Sequence, residues 1–331
     1  MKTLHAKSPC CGAKVIRYGK RRWQCTQCQT TWRRRKKKSG RKRIRSSINL
    51  LARFFDHAIG SSQARAKHQH FGVRTFQRQL ERSRDLFRRT HEWPPLPAQC
   101  PLILIADAMV KCIRGRWYTV YFMLIRTVQD TNAWIAPPIL LPGKEYLTEW
   151  MHALNSLPAH VSTNITALVC DGSGGLLNYA KDRHWLVQRC HFHLIAAIQG
   201  RRSQWGKSRH RTEGQLVYQA VKEVLEAPTS CDITPLLYRI DDVALSTSSP
   251  QLRRVLRGFV NHVADFRTYL HHPELNLPRT SNTAESLVGC VEELLHRLRG
   301  VSNINSLEKW IEAFVKYKGK IVCNAAYQPE Y

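Results

Sequence analysis

The spacing of apolar positions changes character along the chain, and those changes divide it. Residues 46–91 carry a helical period, with Leu50, Leu51, Phe54, Phe55 and Ala58 on one face of a helix that stops at Gly60. The stretch SSQARAKHQHF reads as a second helix, capped by Ser61 or Ser62 and ended at Gly72. VRTFQRQLERSRDLFRR reads as a third, with Phe76, Leu80 and Leu86 inside. Short helix, turn and basic helix is the order of a helix-turn-helix, whose last helix enters a major groove. Arg74, Gln77, Arg78 and Arg82 would then face outward, toward bases or phosphates. An ordinary three-helix bundle with a basic surface gives the same pattern.

The proline-rich stretch EWPPLPAQCP (92–101) reads as a linker, and beyond it the period shortens. Residues 102–109, 116–127 and 133–141 predict three successive strands, and 144–157 an amphipathic helix. A strand at 165–170, a helix after Gly175 and a strand at 184–190 complete an α/β core over 102–331. From about 191 to 280 the pattern is helical and basic, an insertion within that core, and a long helix follows at 283–298.

Charge sharpens the picture. The chain of 331 residues carries 52 Lys and Arg against 24 Asp and Glu, a net charge of +28. Such an excess calls for a polyanionic partner, and nucleic acid is the leading one, since binding it releases condensed counterions. No apolar run approaches the ~20 residues of a membrane span, and MKTLHAKSPCC lacks a signal-peptide core. These features lead us to expect the cytoplasm or nucleoid. Eleven cysteines in so basic a chain suggest reduced thiols and metal ligands.

Residues 1–45 hold 17 Lys or Arg and no acid. Within them Cys11, Cys25 and Cys28 have the spacing of a zinc ribbon, in which two knuckles close a hairpin around one tetrahedral Zn²⁺. Ser8 stands where the first cysteine of such a ribbon is expected, leaving Cys10 or His5 to complete the site. The following run, with Arg33, Arg34, Arg35, Lys36, Lys37 and Lys38 at its head, suits phosphate contacts that position a protein on DNA.

Three acids carry candidate chemistry. Asp107 ends the run LILIAD and Asp171 ends ITALVCD, followed by the small residues GSGG. Strands that each deliver a carboxylate at their C-terminal ends can place both on one sheet rim. Close carboxylates repel unless a cation lies between them, and hard ions such as Mg²⁺ prefer these oxygen ligands. Glu285 lies in RTSNTAESL, three residues after Asn282. That spacing also makes a helix cap, with Asn282 at the cap position and Glu285 in the first turn. The other acids, Asp130, Glu145, Glu149 and Asp182, read as surface or capping residues.

Taken together, Asp107, Asp171 in DGSGGL, the pair Cys190 and His193 in CHFH, and Glu285 in SNTAES resemble the mutator-like DDE transposases of bacterial insertion sequences. The resemblance spans residues 100–300. It implies a ribonuclease H-like core with a helical insertion, and a metal triad of Asp107, Asp171 and Glu285 holding Mg²⁺ or Mn²⁺. It implies DNA as partner, both element ends and target, with the chain acting as a dimer or larger. The expected activity is cleavage at element ends and joining of the freed 3′-hydroxyl to target DNA. The alternatives are a non-catalytic DNA-binding regulator and a ribonuclease H-like nuclease without strand transfer. Cys190 and His193 read either as half of a metal site or as a core thiol beside a hydrogen-bonding histidine.

Overall fold

The computed structural model describes residues 8, 11–18, 22–33, 49–57, 73–98, 101–200, 209–298, 301 and 303–323. The chain divides into two compact units, Met1–Asn49 and Leu50–Tyr331. In the first, β1 (Val15–Arg17), β2 (Arg22–Cys25) and β3 (Thr31–Arg33) form a small antiparallel meander. Its central strand sets Trp23 opposite Trp32, a cross-strand aromatic pair of the kind that stabilises so small a sheet.

The second unit is mixed α/β. Its strands are β4 (Leu102–Ile113), β5 (Arg116–Thr127), β6 (Asn132–Ile135), β7 (Ile139–Pro142), β8 (Ile165–Cys170), β9 (Leu186–Arg189) and β10 (Lys320–Val322). The sheet order is β10-β6-β5-β4-β8-β9, with β7 also on β5. Strands β4 and β5 pair antiparallel through a two-residue turn, while β4, β8 and β9 run parallel. The single strand expected over 133–141 is two. Pro137 and Pro138 offer no N–H to a ladder, so β6 pairs with Leu124 and Ile125 and β7 with Tyr118–Tyr121.

Helices cover both faces. The longer ones are, in chain order, α1 (49–55), α2 (Val73–Thr90), α3 (Leu147–Asn155), α4 (Gly174–Asp182), α5 (His191–Ile198), α6 (Arg209–Glu226), α7 (Thr234–Ser246), α8 (Pro250–Asn261), α9 (Asn282–Arg297) and α10 (Ile304–Lys318). Leu102, Leu104 and Ala106 of β4 face α3 and α4. Ile103 and Ile105 face α1, α2, α9 and α10. The insertion has its own apolar core, built from α5 to α8 around Val221, Leu252 and Phe259.

The described part of 46–91 does not stand apart as a body of its own. Phe55 of α1 is wholly buried, its ring 5.4 Å from Phe314 and 5.3 Å from Tyr317 of α10. Arg84 of α2 lies over the Trp310 ring at 4.8 Å, and Arg88 pairs with Glu312. The boundary expected at 92–101 therefore falls instead at Asn49/Leu50. Its physical reason is α10, whose Trp310 and Phe314 fill the face that three helices were expected to close among themselves. The expected linker is packed too, with Trp93 on one core and Leu96 on the other. The middle helix of the expected helix-turn-helix, within 58–72, lies outside the described residues. Arg74, Gln77, Arg78 and Arg82 are exposed along α2.

This packing makes a prediction. Phe55→Ala should cost the Leu50–Tyr331 unit about 3–5 kcal/mol, as aromatic-to-alanine changes in cores do. Denaturant unfolding followed by a probe in the sheet checks it. An unchanged midpoint would mean that α1 is not part of this core.

Candidate active site at the carboxylate rim

The two aspartates are brought together by strand register. The last recorded pair of β4 and β8 is Ile105 with Val169, and two residues further on stand Asp107 and Asp171. Side chains alternate faces along a strand, so Asp107 follows Ile103 and Ile105, and Asp171 follows Ala167 and Val169. All four of those apolar residues lie in the core that α9 covers with Ala284, Leu287 and Val291. Both acids thus belong on the face from which Glu285 comes.

The small residues after Asp171 have separate reasons. Asp171 closes a side-chain turn, accepting from the Ser173 N–H at 3.0 Å. Gly172 has φ +101°, and a Cβ there would lie 2.5 Å from Nη2 of Arg189. A Cβ on Gly175 would lie 2.8 Å from the Leu147 Cα, so its absence lets α4 approach the start of α3.

Asp107 is the unusual acid. Its carboxylate accepts from the Ala108 N–H at 2.8 Å, yet burial pushes its pKa from 3.8 up to about 7. The charges of Asp171, Glu285 and Glu145 push the same way. The sequence therefore missed a fourth acid at this rim, since Glu145 was read as a surface or capping residue. Glu145 also accepts from Trp150 Nε1 at 2.7 Å. Nothing in its local pattern marks it, because it arrives by a loop.

Glu285 sits in the first turn of α9, half-buried. The expected cap is displaced by one residue. Ser281, not Asn282, is the N-cap, and no side chain caps the first turn. The Ser281 hydroxyl instead donates to Glu285 Oε1 at 3.2 Å. His193 Nδ1 approaches the same oxygen at 3.1 Å. Cys190, wholly buried at the N-cap of α5, accepts from the Ser281 N–H through Sγ at 3.3 Å.

The CHFH segment is helical, so its two histidines diverge. His191 is buried and places Nε2 2.6 Å from the Phe266 carbonyl oxygen, while burial lowers its pKa to about 4. It is a neutral pin for the insertion. His193 turns to Glu285. Arg189, held over the Phe266 ring at 4.6 Å, walls the Asp171 turn.

No protein-family model matches the chain, and no curated protein matches it.

In the first unit, the sulfurs of Cys11, Cys25 and Cys28 lie within 4.8 Å of one another. Cys11 Sγ is 3.2 Å from Cys25 Sγ and 3.8 Å from Cys28 Sγ. Tetrahedral zinc thiolates stand about 3.8 Å apart, so the cluster is compatible with zinc. Ser8 is buried beside it, in the loop closed by Gly12 N–H donating to the Ser8 carbonyl at 3.0 Å. The Cys28 N–H, and then the Ser8 hydroxyl, bring the Cys25 thiol down to about 6. Ser8 thus lies within hydrogen-bond reach of the cluster. His5, Cys10 and the run Arg34 to Lys38 lie outside the described residues, and Arg33 ends β3. Among the described residues no helix is long and apolar enough to cross a membrane.

Asp107 gives the metal-free protein a signed pH dependence. Its folded pKa lies above the unfolded one, so its stabilising contribution is complete below about pH 4 and is lost as the pH rises to about 7. Asp107→Asn removes that titration. The melting temperature of the variant should draw ahead of wild type between about pH 4 and 7, then hold a constant lead. A lead that does not change across this range would mean that Asp107 ionises normally.

Proposed function

We propose that this protein is a DNA transposase of the DDE type. Its active site would be Asp107, Asp171 and Glu285 in a ribonuclease H-like core. The observation that carries the reading is that strand register brings Asp107 level with Asp171 on the sheet face that α9, with Glu285, covers, while the charges of Asp171 and Glu285 add to the desolvation that raises the half-buried Asp107. A carboxylate partly withdrawn from water among other carboxylates is a standing cost unless a cation relieves it. A DNA-binding regulator has no use for that cost. The sheet, antiparallel through β6, β5 and β4 and parallel through β8 and β9, fits the proposed core. The net charge of +28 fits DNA as the partner.

The oxygen-only set of Asp107, Asp171 and Glu285 fits Mg²⁺ or Mn²⁺. When bound, such ions supply the charge that stabilises the attacking and leaving oxygens of an in-line phosphoryl displacement. Asp107 must give up its proton to bind, so its raised pKa makes occupancy fall below neutral pH. The Ser281 hydroxyl donates to Glu285, and His193 Nδ1 lies 3.1 Å from the same oxygen. Asp171 is exposed, on the side from which a phosphodiester must arrive. The outward row of Arg74, Gln77, Arg78 and Arg82 on α2 offers contacts to phosphates and base edges. Cleavage at an element end frees a 3′-hydroxyl, which attacks target DNA by the same displacement. Because two ends must meet in one complex, the working form is a dimer or larger. The thiol cluster would hold zinc as a DNA-binding ribbon.

The test uses purified protein with labelled element ends, target plasmid and Mg²⁺. Wild type should yield joined products. Asp171→Asn and Glu285→Gln should yield none, while gel-shift affinity for DNA stays within a few fold of wild type. Both keep side-chain shape and remove the charged oxygen ligand. Full joining by either variant would sink the triad. Cleavage without joining would favour the nuclease, and binding without cleavage the regulator.

A further inference from the structure

The Cys190, His193 and Glu285 side chains converge from two helices on a single point. Sγ, an imidazole nitrogen and a carboxylate oxygen lie within 4.8 Å of one another, with the nitrogen 3.1 Å from the oxygen. We infer that these three residues form a second cation site, one that takes thiophilic Zn²⁺ rather than Mg²⁺ and that shares Glu285 with the carboxylate rim.

The donor chemistry selects the ion. One sulfur, one nitrogen and one oxygen suit zinc, which commonly keeps three protein ligands and an open fourth position. Magnesium demands oxygen ligands and gains nothing from a thiol. The geometry needs only a small contraction, since zinc with bonds of about 2.0–2.3 Å holds its ligand atoms roughly 3.3–3.8 Å apart.

The frame is built in advance. Cys190 is the N-cap of α5 and His193 lies in its first turn, which brings their ligand atoms within 4.8 Å. That turn is tied down by the His191 N–H donating to the Arg279 carbonyl at 3.0 Å. Ser281 serves both ends of the site, its N–H donating to Cys190 Sγ and its hydroxyl to Glu285. Such outer hydrogen bonds orient metal ligands and tune their basicity. Burial keeps the free Cys190 thiol protonated, so an entering Zn²⁺ releases that proton, forming the Zn–S bond as the S–H bond breaks. The plainer reading is that His193 only lies beside Glu285 and that Cys190 only fills space and accepts from Ser281.

Zinc held here binds the oxygen that the rim needs, so it should compete with Mg²⁺ for Glu285. That inhibitory consequence rests on the transposase reading, whereas the metal site itself does not.

The experiment compares full-length wild type, Cys190→Ser and His193→Gln. Each is stripped with chelator, equilibrated with Zn²⁺, and its metal counted by mass spectrometry. Thiols near the N-terminus contribute equally to all three. Wild type should hold about one zinc per chain more than either variant. With Co²⁺ as probe, the wild-type minus Cys190→Ser difference spectrum should show a thiolate charge-transfer band. Cys190→Ser places a hydroxyl in a buried position, so the half-buried His193→Gln carries the comparison should the serine variant misfold. In the joining assay with Mg²⁺ in large excess, low Zn²⁺ should depress wild-type activity roughly tenfold or more, while His193→Gln keeps its own zinc-free level. Equal zinc counts in wild type and His193→Gln would overturn the site. An extra zinc in a protein that never cuts DNA with any metal would instead overturn the transposase reading and leave the site standing.

Discussion

Parallel pairing of β4 with β8 is the constraint on which the rest of the rim depends. The register shifts once, between Leu102 and Ile103, so that Leu102 pairs with Ile165 but Ile103 with Ala167. Without that shift Asp107 would come level with Cys170, whose side chain belongs to the opposite core. With it, Asp107 comes level with Asp171. A single-residue slip turns every side chain of a strand to the other face, and here one irregularity at the far end of the strand fixes that parity. Everything nearer the site inherits it. The α9 helix needs only to lie on the face already chosen.

The second dependence is electrostatic. Asp107 is pushed to about 7 chiefly by burial, with three neighbouring acids adding to it. A folded protein keeps such an arrangement when something else holds the frame rigid. That frame is apolar and aromatic, from Ile103 and Ile105 beneath the acids out to Phe55, Trp310 and Phe314. The N-terminal helices and the final helix thus belong to the same core that buttresses α9. Stability of that core and geometry of the rim are one problem.

Much of this was legible in the sequence, and for identifiable reasons. Strands β5 and β8 have the expected bounds because each is a mostly apolar, β-branched and aromatic run between polar or glycine stops. Candidate acids were visible as carboxylates ending such runs. The break between β6 and β7 was also in the sequence, as two prolines whose missing N–H groups interrupt a ladder. The α10 helix repeats Leu307, Trp310, Ile311 and Phe314 at helical spacing, a signal legible in the sequence. Without it, the face of α1 and α2 had no partner, and a separate domain was the natural inference. The capping pattern at Asn282 was off by one because serine and asparagine stand side by side, and only the backbone shows which one precedes the first turn. Glu145 could not have been found, since its place depends on a loop returning to the rim.

The insertion leaves the core at Cys190 and returns at Ser281, and those two residues touch through a sulfur and a backbone N–H. The entry and exit of the helical unit are strapped together there by the His191 N–H and the Arg279 carbonyl. The unit also rests on β9, where the Tyr269 N–H donates to Gln188 Oε1 at 2.9 Å and Arg189 lies over the Phe266 ring. A displacement of the insertion would therefore reach β9 and the first turn of α9 together, so load gathered over many residues would be delivered to both sides of the carboxylate rim.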